Sequence, residues 1–426
     1  MKKSLRIVFA ILACCGIMAG TVFAKPAVTL KVMSTTYVEK PEGEAERAIA
    51  AEFMKKNPDI KIEFMGVPMN DVYTKITSLA IGGELPDIFT NTPEFISTAY
   101  DMGITEDLTG LLGKKYIAGF YPSNVEQASV NNKLQFVPWF TTPMGLLYRG
   151  DWFKQEKLTS LETWDDFLKA AKKMTKDTNG DGKVDRWGFA MMGSRNGSGA
   201  NRFIHILRTF GARELYKDAN GKWATELDSA EAKEAFRFFA ELYTKQGVVP
   251  PGPTEVSYAE GISLMASEKT GMMITGPHTI GAILAQNPKL KGKLYSVPLP
   301  MKKKHVSTLG LYGFSIAKTS KNKQAAAKYL KFLVETKNAL TWNAVTGRMP
   351  TRIEAGKKRQ ITGPVYAGFV KALNYVETIP TVPFYSEIFD ITGEAYQSLL
   401  TNASDVDAAL KKAADRTRAA IQRAAN

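Results

Sequence analysis

The sequence predicts an α/β fold with a largely parallel sheet that crosses into a second lobe. Strand-like and helix-like patterns alternate from residue 28 onward, which places helices on both faces of such a sheet. The chain has 426 residues, 44% hydrophobic and 23% charged. That is enough for two or three domains, each with its own core, and it excludes disordered, collagen-like and coiled-coil classes. The run Leu134–Gly150 looks extended but is split by Pro138 and Pro143. Prolines suit a crossing or bend better than a central strand.

In chain order, residues 1–24 read as an export signal. Lys2, Lys3 and Arg6 precede an apolar stretch from Ile7 to about Gly20, and Val22-Phe23-Ala24 fits a cleavage site. The stretch is shorter than the roughly 20 residues a membrane-spanning helix needs. Cleavage after Ala24 gives a periplasmic or extracytoplasmic protein. A second reading is a lipoprotein, because Ile11-Leu12-Ala13-Cys14 loosely fits a lipobox, with the lipid on Cys14 or Cys15. These two are the only cysteines, so no disulfide framework, cysteine zinc site or CxxC redox pair can form.

Val28–Met33 alternates as a strand. Ala45, Ile49 and Phe53 recur at helical spacing, and that helix ends near Asn57-Pro58. Ile60–Gly66 is a second strand. A helix marked by Val72, Ile76 and Leu79 is stopped by Gly82-Gly83, and Pro86–Thr90 is a short buried strand. Parallel sheets bind ligands in loops beyond the carboxyl ends of their strands, here Ser34–Tyr37 and Asn91–Glu94. After the proline-split crossing, Thr163 caps a helix carrying Trp164, Phe167, Leu168 and Ala171. Residues 229–246 form a periodic helix, Gly271–Thr275 a buried strand running into Gly276-Pro277-His278, and Gly313–Ala317 another strand. A helix covers Ala325–Val334, and the region from about Pro364 reads as helical throughout.

The order of these segments resembles the extracellular solute-binding proteins of ATP-driven importers, in the sugar-binding group that includes maltose-binding protein. The carrying segments are TLKVM, NPDIKIEF, GGELPDIF, FVPWFTTPMGLLYRGDWFKQEKL, TWDDFLKAAKKMT, KTGMMITGPHTIGAI, STLGLYGFSIAKTSKNKQAAAKYLKFLVE and TGRMPTR. One departure is Arg149, where the family usually has Asn. The resemblance implies two α/β lobes, each a mainly parallel sheet flanked by helices, with the ligand between. It assigns 25–140 plus 277–338 to the first lobe and 141–276 plus 339–426 to the second.

Sugar sites combine flat aromatic faces with polar groups for the hydroxyls. Carried over by segment, the resemblance puts Thr36, Tyr37, Asn91, Glu94, Trp139, Thr142, Asn196, His278, Tyr312, Tyr385 and Phe389 at the ligand. Trp139 leads these candidates, and His278 stands where a stacking Trp is common. Near neutral pH a partly charged His278 would also favour an anion. Separately, Asp177, Asn179, Asp181 and Asp185, with the Lys183 carbonyl, have the alternate spacing of a calcium loop. Gly188 stands where the bidentate Glu belongs, and the competing reading is a metal-free Asx/Gly turn. A bound calcium would be structural.

No GxSxG, HExxH or phosphate-cradling GxxxxGK[ST] occurs. Ser320-Lys-Asn-Lys323 and Lys269-Thr270-Gly271 stand in the reverse of the order that penicillin-interacting enzymes use. A glycosidase needs two carboxylates across a cleft, and nothing in the sequence pairs Glu94 with Glu387. The formal charge is +14, or +11 once Lys2, Lys3 and Arg6 are lost, and it is spread in short solvated runs without the aromatic interleaving of a nucleic-acid groove. The resemblance, with these motifs absent, implies a monomeric, non-enzymatic binding protein. It captures a mono- or oligosaccharide and hands it to the transmembrane subunits of a permease. The alternatives are an anionic solute such as a uronide, sugar phosphate or polyol phosphate on the same fold, and, more remotely, a secreted carbohydrate-active enzyme.

Overall fold

A computed structural model describes residues 28–425, apart from 381, 383 and 403. The segment read as an export signal, the expected cleavage site and both cysteines lie outside the described residues. Ten strands build two sheets: β1 Val28–Ser34, β2 Ile60–Gly66, β3 Ile88–Asn91, β4 Val137–Pro143, β5 Gly145–Arg149, β6 Trp187–Phe189, β7 Thr270–Thr275, β8 Leu294–Val297, β9 Leu309–Ile316 and β10 Met349–Pro350. The larger sheet runs β10-β4-β9-β3-β1-β2 and the smaller β8-β5-β7-β6. Separate apolar cores pack on each, which makes two lobes.

The sheets are mixed, where the sequence suggested mainly parallel ones. β1 pairs in parallel with β2 and β3, but β9 is antiparallel to both β3 and β4, and β10 to β4. In the second lobe β7 is parallel to β6, while β5 is antiparallel to β7 and β8. The cause is the crossing itself. A strand returning from the other lobe enters from the cleft side and runs against the strands that end there.

The lobe boundaries also move. The segment 277–338 was expected in the first lobe, yet β8 is hydrogen-bonded to β5, and Ile280, Ile283 and Leu290 pack with Leu147, Met273 and Phe369. Residues up to about 306 therefore belong to the second lobe. Conversely, Trp342 and β10, expected in the second lobe, complete the core and sheet of the first. The C-terminal region is helical over Pro364–Ala372, Tyr385–Leu400 and Val406–Ala425; a 3-10 turn, Leu373–Tyr375, follows the first, and residues 376–380 are not helical.

Local signals explain the helices. Thr163 and Asp166 form a reciprocal capping box at the start of Trp164–Met174. Asn196 accepts the Ser198 and Gly199 N–H groups at the start of Gly197–Phe210, which ends at a left-handed Gly211. Ala232, Ala235, Phe236, Phe239 and Leu242 bury one face of Ala230–Thr244.

Three chain segments cross between the lobes side by side. The Met144 N–H donates to Ser307 Oγ at 3.0 Å, and Ser307 Oγ–H donates to the Met144 carbonyl at 2.9 Å. On the other side, Ser307 N–H donates to the Tyr375 carbonyl and Glu377 N–H to the Ser307 carbonyl, both at 2.8 Å. His205, on Gly197–Phe210, braces this band through Nε2 to Thr308 Oγ1 at 2.6 Å. Burial lowers His205 to about 3, so it stays neutral.

Candidate functional site

β1, β3 and β4 end, and β9 and β10 begin, at the same edge of the larger sheet. This gathers the loops that follow β1 and β3 with the starts of β9 and β10. A cleft of about 450 Å³ opens there, lined by Thr36, Glu39, Met69, Tyr73, Thr92, Glu94, Phe140, Thr142, Gly310, Leu311, Tyr312 and Arg348 from the first lobe and His278 from the second. A larger hollow of about 820 Å³ lies elsewhere, but its walls come from the first lobe alone.

The first-lobe wall is a stack. The Phe140 ring lies 5.0 Å from Tyr312 at an interplanar angle of 6°. The Arg348 guanidinium sits 4.7 Å from the Phe140 ring centre, within cation–π range. Glu39 and Glu42 both approach Arg348 at 3.4 Å. The Tyr312 hydroxyl shares a proton with Thr35 Oγ1 at 2.7 Å, and burial pushes it up to about 12. Tyr73 stacks on Phe95 at 4.6 Å and bonds Thr92 Oγ1 at 2.5 Å. These are neutral hydroxyls and flat rings at fixed positions, with the exposed Glu94 as an acceptor.

The second-lobe wall carries His278. Gly276 lets the turn fold back, since a Cβ there would come within 2.8 Å of the His278 ring. The imidazole lies 5.7 Å from Tyr258 at 28°. Burial, then Arg202 and Arg348, lower it to about 4. His278 is thus a neutral ring at pH 7, which corrects the expectation of a partly charged donor. Gly347 and the Pro277 carbonyl bring the lobes into contact, because a Cβ at Gly347 would come within 2.6 Å of that oxygen.

The structure brings together five of the carried-over positions: Thr36, Glu94, Thr142, His278 and Tyr312. It places the other six elsewhere. Trp139 is 2% exposed and packs 4.2 Å from Trp342 in the first-lobe core. Neighbouring strand residues point to opposite faces, and Phe140 takes the cleft side. Asn91 is buried, donating to Ser315 Oγ and accepting from the Thr92 N–H, so it shapes the loop. Tyr37 turns away to stack on Phe64 at 4.7 Å. Asn196 is spent as a helix cap. Tyr385 is buried in the second-lobe core and donates to Glu214, and Phe389 packs edge-on against it.

Thr92, Phe140, Gly310 and Leu311 line the cleft from the same segments as expected positions, while Glu39, Met69, Tyr73 and Arg348 were missed, with Tyr258 and Arg202 behind His278. Arg348 had a signal, because it follows Gly347, which holds a left-handed φ of 70° at a helix end. Tyr73, Tyr258 and Arg202 sit on helices, where nothing in the spacing separates a cleft-facing side chain from a core one.

The side chains expected to hold calcium are hydrogen-bonded within their own loop. Asp177 accepts the N–H groups of Asn179, Gly180 and Gly182, Asn179 that of Asp181, Asp181 that of Lys183, and Asp185 that of Thr178. Among the described residues no three His, Cys, Asp or Glu side chains gather to hold a metal. The loop is closed as a series of Asx turns.

Behind the β1 loop, Glu46 is buried and accepts from Ser34 Oγ at 2.9 Å and Thr36 Oγ1 at 2.7 Å. Burial raises its carboxyl from 4.5 to about 7. A raised carboxyl contributes its full stability below the unfolded value and loses it as pH climbs through the folded one. Glu46→Gln should therefore match the parent protein near pH 4 and exceed it by about 3 kcal/mol near pH 9. Denaturant titrations at both pH values check this.

Residues 38–340 match the model of the bacterial extracellular solute-binding protein family. The chain belongs to this family. A multiple sugar-binding protein of Streptococcus mutans is 23% identical over 331 residues, covering 74% of each chain. Among solved structures, T. maritima MalE3 with bound maltose shares 27% identity with a TM-score of 0.71, covering 92% of this solute-binding protein and 99% of that chain. The sugar-binding protein MalE from Xanthomonas citri superposes with a TM-score of 0.77 at 20% identity, covering 93% and 98%. These relatives are binding proteins, and their two-lobe build is the fold found here.

Proposed function

We propose that this solute-binding protein captures a carbohydrate in the interlobe cleft and delivers it, as the closed form, to an ATP-driven permease in the membrane. The observation that carries this reading is the pairing of a flat aromatic wall on one lobe, Phe140 with Tyr312, with a facing ring on the other, His278. A sugar ring held between them buries its C–H faces and leaves its hydroxyls to Thr36, Thr142, Tyr73 and Glu94. The solute completes contacts that neither lobe supplies alone, so binding shifts the population toward closure. The sugar-binding names of the relatives support the substrate class, and the extracellular family supports export. No step of covalent chemistry is assigned.

The test is a thermal-unfolding screen with neutral saccharides, uronides and sugar phosphates, each with and without calcium, followed by small-angle scattering. A solute at 100 times its dissociation constant adds about 2.7 kcal/mol, a shift of several degrees at this size, and should compact the particle. Binding without compaction overturns the closure mechanism. Steady consumption of a saccharide would move the protein to the enzymes. The calcium arms address the Asp177–Asp185 loop, where calcium remains a proposal: a rise in melting temperature that is absent in Asp181→Asn supports it.

A further inference from the structure

The proposed function leaves one group, packed behind His278 of the second-lobe wall, unexplained. Arg202, on Gly197–Phe210, is partly buried. Its Nη1 donates to the Ser198 carbonyl at 2.9 Å, and its guanidinium lies 5.3 Å from the Tyr258 ring centre. Its Nε is buried without a partner among the described residues. Among the described residues no carboxylate pairs with it, and burial lowers its pKa from the ordinary arginine value. Other sheltered arginines differ. Arg149 has Asp151 and Glu268, Arg208 has Glu214, and Arg348 has Glu39 and Glu42. A guanidinium removed from water without a counterion is costly to keep, and the cheapest way to relieve that cost is an anion that arrives from outside.

We propose that the saccharide captured here carries a carboxylate, and that Arg202 receives it beside Tyr258 and His278. The inference rests on the cleft being the carbohydrate site. The charges fix the orientation. Glu39 and Glu94 line the first-lobe wall and repel an anion there, while Arg348 is already balanced. The acidic group therefore points to the second lobe, and the uncharged ring faces lie on Phe140 and Tyr312. His278 is flanked by Arg202 and Arg348 and stays neutral, so it adds a ring and a free Nδ1 without adding charge. One uncompensated cation matches one carboxylate better than a phosphate dianion. The planar fork of Arg suits a carboxylate in bidentate contact.

The experiment is calorimetric titration of the full mature protein, and of Arg202→Gln and Arg202→Lys, with galacturonate and glucuronate and their di- and trisaccharides. The controls are the methyl esters, the parent neutral sugars, glucose 6-phosphate and citrate. An uronide should bind about 10- to 100-fold more tightly than its methyl ester, the difference a charge-assisted hydrogen bond carries. Arg202→Gln should lose that factor, so that uronide and methyl ester then bind within about threefold of each other. Arg202→Lys should recover part of it, and the uronide should weaken as salt rises. Arg202→Gln should melt no lower than the parent protein, which separates lost binding from lost folding. Tight binding of a neutral sugar, equal in Arg202→Gln, overturns the acidic ligand and leaves the carbohydrate reading standing. Binding of citrate alone overturns the carbohydrate reading and leaves Arg202 as an anion receptor. Tighter binding of glucose 6-phosphate than of any uronide overturns the carboxylate assignment.

Discussion

Replacing Glu214 with alanine is expected to destabilise the second lobe by about 3–5 kcal/mol, the cost of leaving one member of a buried ion pair alone. Arg208 is 2% exposed and Glu214 0%. Arg208 Nε donates to Glu214 Oε2 at 3.1 Å, and its Nη2 reaches the other oxygen. Tyr385 donates to the same carboxylate, and Arg208 Nη1 donates to the Thr378 carbonyl at 3.1 Å. The pair thus ties the helix Gly197–Phe210 to the C-terminal helices and to the chain just beyond the crossing. Removing both charges together, as in Arg208→Met with Glu214→Leu, should cost markedly less than Glu214→Ala, because no uncompensated ion is left behind. Urea unfolding followed by hydrogen exchange on second-lobe peptides checks both. Equal losses in the two variants would show that packing, and not charge, is what the pair supplies.

Trp139→Ala is expected to cost about 3–5 kcal/mol through the cavity it leaves, while changing solute affinity by less than about threefold. Trp139 touches Phe140, Phe314 and Trp342 within the first-lobe core and does not line the cleft. Phe140→Ala is the contrast: its ring lines the cleft and backs both Tyr312 and Arg348, so affinity should fall with it. Titration of each variant well below its melting temperature, with the solute found in the screen, separates the two. A large affinity loss in Trp139→Ala alone would return the indole to the site.

These two variants also show where sequence reading was sharp and where it was blunt. The run Leu134–Gly150 announced its crossing through Pro138 and Pro143, and β4 and β5 meet there. The loops after β1 and β3 were legible because a parallel strand ends where its ligand loop begins. Which of Trp139 and Phe140 faces the cleft was not legible, since alternation fixes that two neighbours differ but not which of them points inward. The bulge opposite them, between Tyr312 and Gly313, adds a register shift that no local pattern records. The second crossing had its own marker, Pro298 and Pro300, and reading it would have put β8 in the right lobe. Arg202 and Glu214 illustrate a further limit. The helix Gly197–Phe210 carries both Arg208, which Glu214 partners, and Arg202, which has no carboxylate among the described residues, and only the folded neighbourhood tells them apart.

The band formed by Met144, Ser307 and the Tyr375–Glu377 stretch has a mechanical consequence. Strands that exchange hydrogen bonds cannot slide past one another, so the three segments twist together or not at all. The lobes are then geared to a single rotation, with Thr308 clamped by a histidine that does not titrate in the physiological range. Under the closure proposed above, a solute of any shape would be expressed as one angle. A partner touching the outer faces of both lobes could then read that angle without meeting the solute, and pass over a molecule that halts the rotation early.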